Sequence, residues 1–434
     1  MAKTYRPYCP DQLLLLPPSL QDWLPENHLS YFVGDVVDNL DLKAIESYYE
    51  KDERGQPPYH PKMMTKILVY AYCVGVFSSR KIQKRLVEDV SFRVLAAGNQ
   101  PDFRTISDFR KIHYQAIEGF FQQVLQLALE SGAIKLGRVA LDGSKVKANA
   151  SKHKAMSYAR MKEDGRSLRE EVRNLLAQAK AADDEEDARY GKDKRGDELP
   201  AELSRRETRL QRIREAKRVL EQRAREEAKE DGKSKEEAKD AKPKDKAQYN
   251  FSDPESRIMK GADGFVQGYN AQAAVESISQ MIVGQDVTQE ANDKQQVVPM
   301  VAIIEQQAGQ KPAELLADSG YCSDQNLEHL EDNDIDGYVA TGRQKHGKRR
   351  EPCKRGPLPA GSTRVDKMKR KLQTKKGAKV YAARKSIVEP VFGQIKHARG
   401  FRQFLLRGIE KVKAEWALVC ATHNILKMYR MCYG

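Results

Sequence analysis

The sequence predicts an α/β protein: a mixed sheet flanked by helices, preceded by an all-α N-terminal domain and interrupted by a charged helical insertion. Three observations carry this. Short apolar runs bounded by turn residues occur from residue 138 onward and alternate with helical patterns. Upstream, apolar residues recur at steps of three and four, the period of one helix face. Between 151 and 250, 52 of 100 residues are charged, leaving only thin apolar stripes. The expected divisions are 1–135 (helical), 136–154 (first strands), 155–250 (insertion) and 251–434 (remainder of the core).

Within the N-terminal region, Pro61 is placed to open a helix through Lys66, Val69 and Ala71. Ser78 and Ser79 stand where a cap for RKIQKRLVEDV belongs, and Thr105 or Ser107 caps a longer pattern from Phe109 to Leu127, closed by Gly132. Arg80, Lys81, Lys84 and Arg85 suit either a DNA-binding helix, as in a helix-turn-helix, or the solvated face of a bundle.

At Val139-Ala140-Leu141 the texture becomes strand-like, ending in the polar stretch SKVKANA. Leu168, Val172, Leu175 and Leu176, then Leu210, Ile213 and Leu220, mark two long exposed helices followed by a flexible stretch near 228–246. Strands resume at GFVQGYNAQAAVES and QMIVGQDVTQ. A helix opened by Asn292 follows, then ELLADSGY, a short helix around Leu327 and Leu330, and DGYVATGR. Gly, Lys and Arg crowd 342–379, which reads as a basic loop. Helices through Ile387 to Ile395 and Val412 to Leu426 close the chain.

The net charge of +14 is unevenly spread: residues 251–337 hold 4 Lys and Arg against 16 Asp and Glu, whereas 338–434 hold 25 against 5. A basic block beside an acidic one suits a polyanion together with a divalent metal, or a merely solubilising surface. The six cysteines show no Cys-x-x-Cys pairing, which argues against zinc. Leu13–Leu16 is too short for a signal peptide, and no apolar window reaches membrane-spanning length. A soluble protein of a reducing compartment is expected.

Three carboxylates stand out. Asp142 and Asp318 each follow an apolar strand and precede a turn, while Glu389 lies on a helix with Lys385 and Lys396 at helical spacing. Converging carboxylates of this kind hold magnesium, whose hard oxygen ligands and phosphate contacts suit phosphoryl transfer. Taken singly, each has a plainer reading: turn former or cap for the aspartates, surface ion pair for the glutamate. His423 and Asn424 approach the site or, the better reading, are core residues. Asp293 and Asp286 read as a first-turn helix residue and a strand-edge residue, and Tyr269 with Asn270 as a core strand.

The segments LDGSKVKANASKHKAMSYARM, GYNAQAAVE, ADSGY, YAARKSIVEPVFGQIK and RGFRQFLLRG resemble transposases of bacterial insertion sequences with an Asp-Asp-Glu active site on a ribonuclease-H-like fold. The N-terminal KIQKRLVEDVSFRVLAAGNQPDFRTISDFR is similar to the helical domain preceding that core in one branch of the family. The resemblance implies Asp142, Asp318 and Glu389 as catalytic, metal-binding residues for two Mg2+ ions, with Mn2+ as substitute. It places the family's Tyr, Arg, Glu, Lys signature on Tyr381, Arg384, Glu389 and Lys396. The Arg-to-Glu interval is one residue longer than usual, so Lys385 competes with Arg384, and Pro390 suggests a helix start or kink beside Glu389. Arg399, Arg402 and Arg407 complete the expected DNA contacts.

The implied function is a cytoplasmic, nucleoid-associated DNA transposase. It would bind terminal inverted repeats in double-stranded DNA, cleave 3′ ends and join them to target DNA as at least a homodimer, with no membrane partner. Its rivals are a metal-dependent nuclease without joining activity and an inactive transposase-derived DNA-binding protein.

Overall fold

The computed structural model describes residues 19–50, 57–151, 154–190, 201–230, 234–261, 264–342, 353, 356–359 and 361–434. The run Leu13–Leu16 and most of the first half of the expected basic loop, 343–352 and 354–355, lie outside them.

Seven helices occupy the described N-terminal region: α1 (Leu29–Asp38), α2 (Lys43–Tyr49), α3 (Pro61–Cys73), α4 (Ser79–Glu88), α5 (Val90–Leu95), α6 (Phe103–Ile112) and α7 (Tyr114–Glu130). Pro61 opens α3 as expected, with the His60 imidazole capping the Lys62 N–H. The long apolar pattern, however, forms two helices, not one. Asp102 caps α6 by accepting from Thr105 N at 2.7 Å, in place of Thr105 or Ser107, and the chain turns at His113 before α7.

Next comes β1 (Arg138–Lys147), and then the insertion: β2 (Ala155–Ser157), α8 (Tyr158–Tyr190), α9 (Ala201–Glu230), α10 (Lys235–Lys239) and β3 (Gln248–Asn250). β2 and β3 pair antiparallel and close it at its root. Tyr158, Met161, Leu168, Leu210, Ile213, Ala216 and Leu220 form a small core separate from the main one, so the insertion is an α-helical arm with its own packing. The stretch expected to be flexible contains α10, whose capping box joins Ser234 and Glu237, while 231–233 lie outside the described residues.

The core resumes with β4 (Arg257–Gly261), β5 (Gly264–Glu276), β6 (Ile282–Thr288), α11 (Val297–Ala308), β7 (Glu314–Ala317), α12 (Asp324–Asp332) and β8 (Asp336–Val339). Then follow α13 (Arg364–Gln373), α14 (Lys375–Gly393), a π-helical turn at Gln394–Ala398, and α15 (Ile409–Tyr433). The sheet is mixed: β1, β7 and β8 run parallel, whereas β5 is antiparallel to β1 on one edge and to β4 and β6 on the other. β4 was not anticipated. α11 starts four residues later than expected: its N-cap is Gln296, and the Asn292 side chain instead accepts from Lys294 N. Arg364–Gln373 is a helix, not part of a loop, and α14 runs through Pro390 without breaking. One hydrophobic core extends from Val33 in α1 through the sheet to Ile425 in α15.

Candidate active site

The site lies where β1 outruns its parallel neighbour. Leu141 pairs with Ala317, the last residue of β7, so the next residues, Asp142 and Asp318, stand side by side. Asp142 is therefore mid-strand, not at a strand end, with Ala273 of β5 opposite. Asp318 does end its strand, and its carboxylate caps the 3₁₀ turn Ser319–Tyr321 by accepting from Gly320 N at 2.7 Å.

Arg384 reaches in from α14. Its Nη1 donates to Asp142 Oδ2 at 3.1 Å, and its Nη2 lies 3.9 Å from Glu389 Oε1. The longer interval to Glu389 is thus no obstacle, and Arg384 rather than Lys385 meets the carboxylates. Lys385 is exposed. Burial, reinforced by the charge of Asp318 and opposed by Arg384, pushes the Asp142 carboxyl up to about 6. The Asp142 carboxylate keeps Arg384 protonated despite burial. Glu389 is more than half exposed, and among the described residues no three His, Cys, Asp or Glu side chains group as a ready metal cage. Two carboxylates stand side by side, and the Arg384 guanidinium bridges Asp142 to the third, Glu389.

Lys396, from the π-turn, donates to Ser144 Oγ and to Lys145 O at 2.8 Å, and burial lowers its amine to about 8. Tyr381 is half-buried beside Arg384, and burial raises its phenol. Arg402 and Arg407 are exposed on the segment following the π-turn. Arg402 bonds Lys396 O at 3.2 Å and Arg407 bonds Asn149 O at 2.8 Å. Arg399 departs from expectation: its guanidinium turns inward, donating to Thr422 Oγ1 at 2.8 Å and Val419 O at 3.1 Å of α15. That pairing occupies the donors a phosphate would need.

Sequence reasoning missed a polar cradle under the site. Asp293, outside α11, accepts from Asn270 Nδ2 at 2.6 Å and Gln272 Nε2 at 2.7 Å, with Lys145 Nζ at 3.5 Å. Tyr321 donates to Gln272 Oε1. A Cβ on Gly320 would stand 2.9 Å from Asp318 Oδ1 and 3.5 Å from Asp293 Oδ2, so this glycine lies between the two aspartates. The available signal was the pair of amides at alternate positions, Asn270 and Gln272, beside the apolar run Ala273–Val275, since buried polar groups require partners. His423 and Asn424 are core residues. His423 Nε2 faces Gln280 O at 3.0 Å, and Asn424 brackets the backbone of Ile282. Asp286 pairs with Lys413 at 2.7 Å.

On α4, Lys84 and Arg85 pair one turn on with Glu88 and with the C-cap Asp89, and Arg80 stacks on Phe103. No helix among the described residues is long and apolar enough to cross a membrane.

Two family models match the chain: the transposase domain DUF772 over residues 18–112, and the transposase DDE domain over residues 238–425. No curated protein and no solved structure matches significantly.

Proposed function

The chain is a DDE transposase of the insertion-sequence type, a DNA phosphoryl-transfer enzyme, and on that premise we propose that it binds the terminal inverted repeats of its element, cleaves their 3′ ends and transfers them to target DNA. Asp142, Asp318 and Glu389 are the catalytic carboxylates of this reading. Its main support is the adjacency of Asp142 and Asp318 across β1 and β7, with Arg384 linking Asp142 to Glu389. The sheet order β6-β5-β1-β7-β8, with only β5 reversed, favours a ribonuclease-H-like core.

The donor set suits Mg2+ or Mn2+: all three side chains offer hard oxygens, and the adjacent Asp142 and Asp318 repel one another when both are charged. Asp142 and Asp318 would hold the ion, with Glu389 joining once Arg384 yields. An ion held there would supply Lewis-acid chemistry, lowering the pKa of a water or 3′ hydroxyl and offsetting charge on the leaving oxygen. The chain's own cations do the rest. Lys396 presents an ammonium beside Ser144 for a backbone phosphate, and Arg402 and Arg407 lie exposed on the adjoining segment for further phosphates. Arg384 neutralises Asp142 and Glu389 before substrate arrives. Arg399 fastens the π-turn to α15. Joining two ends requires at least a homodimer.

The test is incubation of the purified chain with a labelled duplex bearing its element's end, a target plasmid and Mg2+. Cut ends and joined product are expected, and both should disappear in Asp142→Ala, Asp318→Ala and Glu389→Ala. Cutting without joined product would establish the nuclease reading instead.

A further inference from the structure

Clusters of basic side chains occur in three places outside the catalytic residues, and their neutralisation differs. On α4, two of four cations pair with acids of the same helix and its C-cap. On the arm, Arg160 and Arg209 share Asp164, Arg206 meets Glu171, and Lys217 meets Glu221, so much of its charge is internally balanced. The third place is α13 and the first half of α14. There Lys367, Lys369, Lys375, Lys376 and Lys379 are exposed, and among the described residues none has an ion-pair or hydrogen-bond partner.

This surface is also fixed in place. Arg364 binds Glu328 at 2.7 Å and Glu331 at 3.1 Å of α12, while Lys371 binds Asp336 and Gly337 O of β8. Each helix is started by a threonine cap, Thr363 and Thr374. The cations that anchor α13 pair with acids of the core, whereas the five exposed lysines make no ion pair, although Lys369 and Lys376 feel the charges of Asp366 and Asp336 at longer range. At 100° per residue, Lys375, Lys379 and Lys385 fall on the α14 face that carries Glu389. From Lys375 to Glu389 the helix rises about 21 Å, roughly six steps of a DNA strand at ~3.4 Å each.

We infer that α13 and the N-terminal half of α14 form a phosphate-binding track along which duplex DNA is led to Glu389, and that this track, rather than α4, supplies most of the salt-dependent DNA affinity. The inference rests on the proposed transposase reading and adds the surface through which DNA approaches. A row of cations without ion pairs on a rigid support releases counterions when it meets a polyanion, which makes binding steeply salt-dependent.

The test uses the full-length chain with Lys367, Lys369, Lys375, Lys376 and Lys379 changed together to Gln, beside a Lys-to-Arg version of the same five and a second variant carrying Lys81→Gln, Lys84→Gln and Arg85→Gln. Affinity for a random 30-base-pair duplex is measured from about 50 to 200 mM salt. The α13–α14 Gln variant should flatten the slope of log K against log salt by about 0.9 for each lost phosphate contact, three or more units in all, while the Arg version keeps the wild-type slope and the α4 variant changes it by less than one. An unchanged slope in the α13–α14 Gln variant overturns the inference. So does weakened self-association with an intact DNA slope, which would make the surface an interface between copies. A wild-type chain with no salt-dependent DNA binding would instead contradict the transposase reading itself.

Discussion

Arg384 holds its guanidinium against Asp142 at the centre of a site that otherwise gathers negative charge. Removing one partner of a buried pair leaves the other uncompensated, at a cost of about 3–5 kcal/mol. Arg384→Met should therefore destabilise the chain by that order in urea titrations with a chelator present, and Mn2+ should recover part of the loss by replacing the missing cation. A variant as stable as wild type without metal would show that Arg384 does not neutralise the site. Lys396 gives a pH signature. Its folded pKa, about 8, is depressed from the usual lysine value of 10.5, so its ammonium loses its proton as pH rises through 8 while still exchanging little in the unfolded chain. Burying that charge penalises the fold below pH 8, and the penalty lifts between 8 and 10.5. Its contact with DNA runs the other way, because only the ammonium donates to phosphate. Affinity for the scissile end should drop about tenfold between pH 7 and 9, from a charged hydrogen bond worth ~1.5 kcal/mol or more, and Lys396→Met should be weak at both. Equal pH profiles for the two proteins would remove Lys396 from the interface. The residues most legible in the sequence were those with local context: Asp318 after ELLA, and Glu389 among lysines. Lys145 and Asp293 were illegible because they meet only through strand register and a loop, information that no spacing along the chain carries.

The arm, the sheet edge and the last helix show how much an element's boundaries depend on its neighbours. The arm was readable because its composition differs from everything around it. β4 was not, since Arg257–Gly261 is short and finds its place only against Gly264–Gly268 of β5. α13 was hidden by its basic composition, which suits a loop or an exposed helix equally well until Thr363 and Asp366 form a capping box. Because Ser157 and Gln248 are paired across β2 and β3, joining them through an Asn-Gly turn should close a hairpin and excise residues 158–247. The arm's apolar cluster is separate from the main core, so the shortened chain should keep a cooperative thermal transition within a few degrees of wild type by Trp416 fluorescence. Loss of that transition would mean the arm supports the core after all. On α15, His423 is buried and uncharged, its pKa lowered by desolvation to about 3. The unfolded chain protonates near 6.5 and the folded chain does not, so stability present above pH 6.5 falls as pH drops below it. Between pH 7 and 5 the loss from this residue is about 2 kcal/mol, and it should be absent in His423→Gln when urea midpoints are compared at the two pH values.

At the scale of the whole molecule, the N-terminal helices and the sheet share one core, with α15 as their common partner. Tyr72 of α3 donates to Glu415 Oε1 at 2.8 Å, and Arg110 of α6 donates to the same phenol at 2.9 Å. The other oxygen of Glu415 accepts from Leu405 N at 2.8 Å and Leu406 N at 3.0 Å, in the segment that carries Arg402 and Arg407. That segment in turn rests on the end of β1, where Phe404 N donates to Lys147 O at 2.9 Å. A buried network therefore ties the helical region to the extension of the strand that bears Asp142. Polar groups buried in this way are costly to orphan, so Tyr72→Phe should lose about 1–3 kcal/mol although the site is distant. The same continuity requires the helices and the sheet to unfold together. In the arm-excised chain carrying Trp23→Phe, Trp416 is the remaining tryptophan and reports the core, while far-UV circular dichroism draws about half of its helical signal from α1–α7. Their urea transitions should coincide, and Tyr72→Phe should move both midpoints by the same amount, as two-state behaviour demands. If the helical signal melts first and the mutation shifts it alone, the helices are a separate folding unit. Glu415 would then steady the loop without coupling it to the N-terminal region.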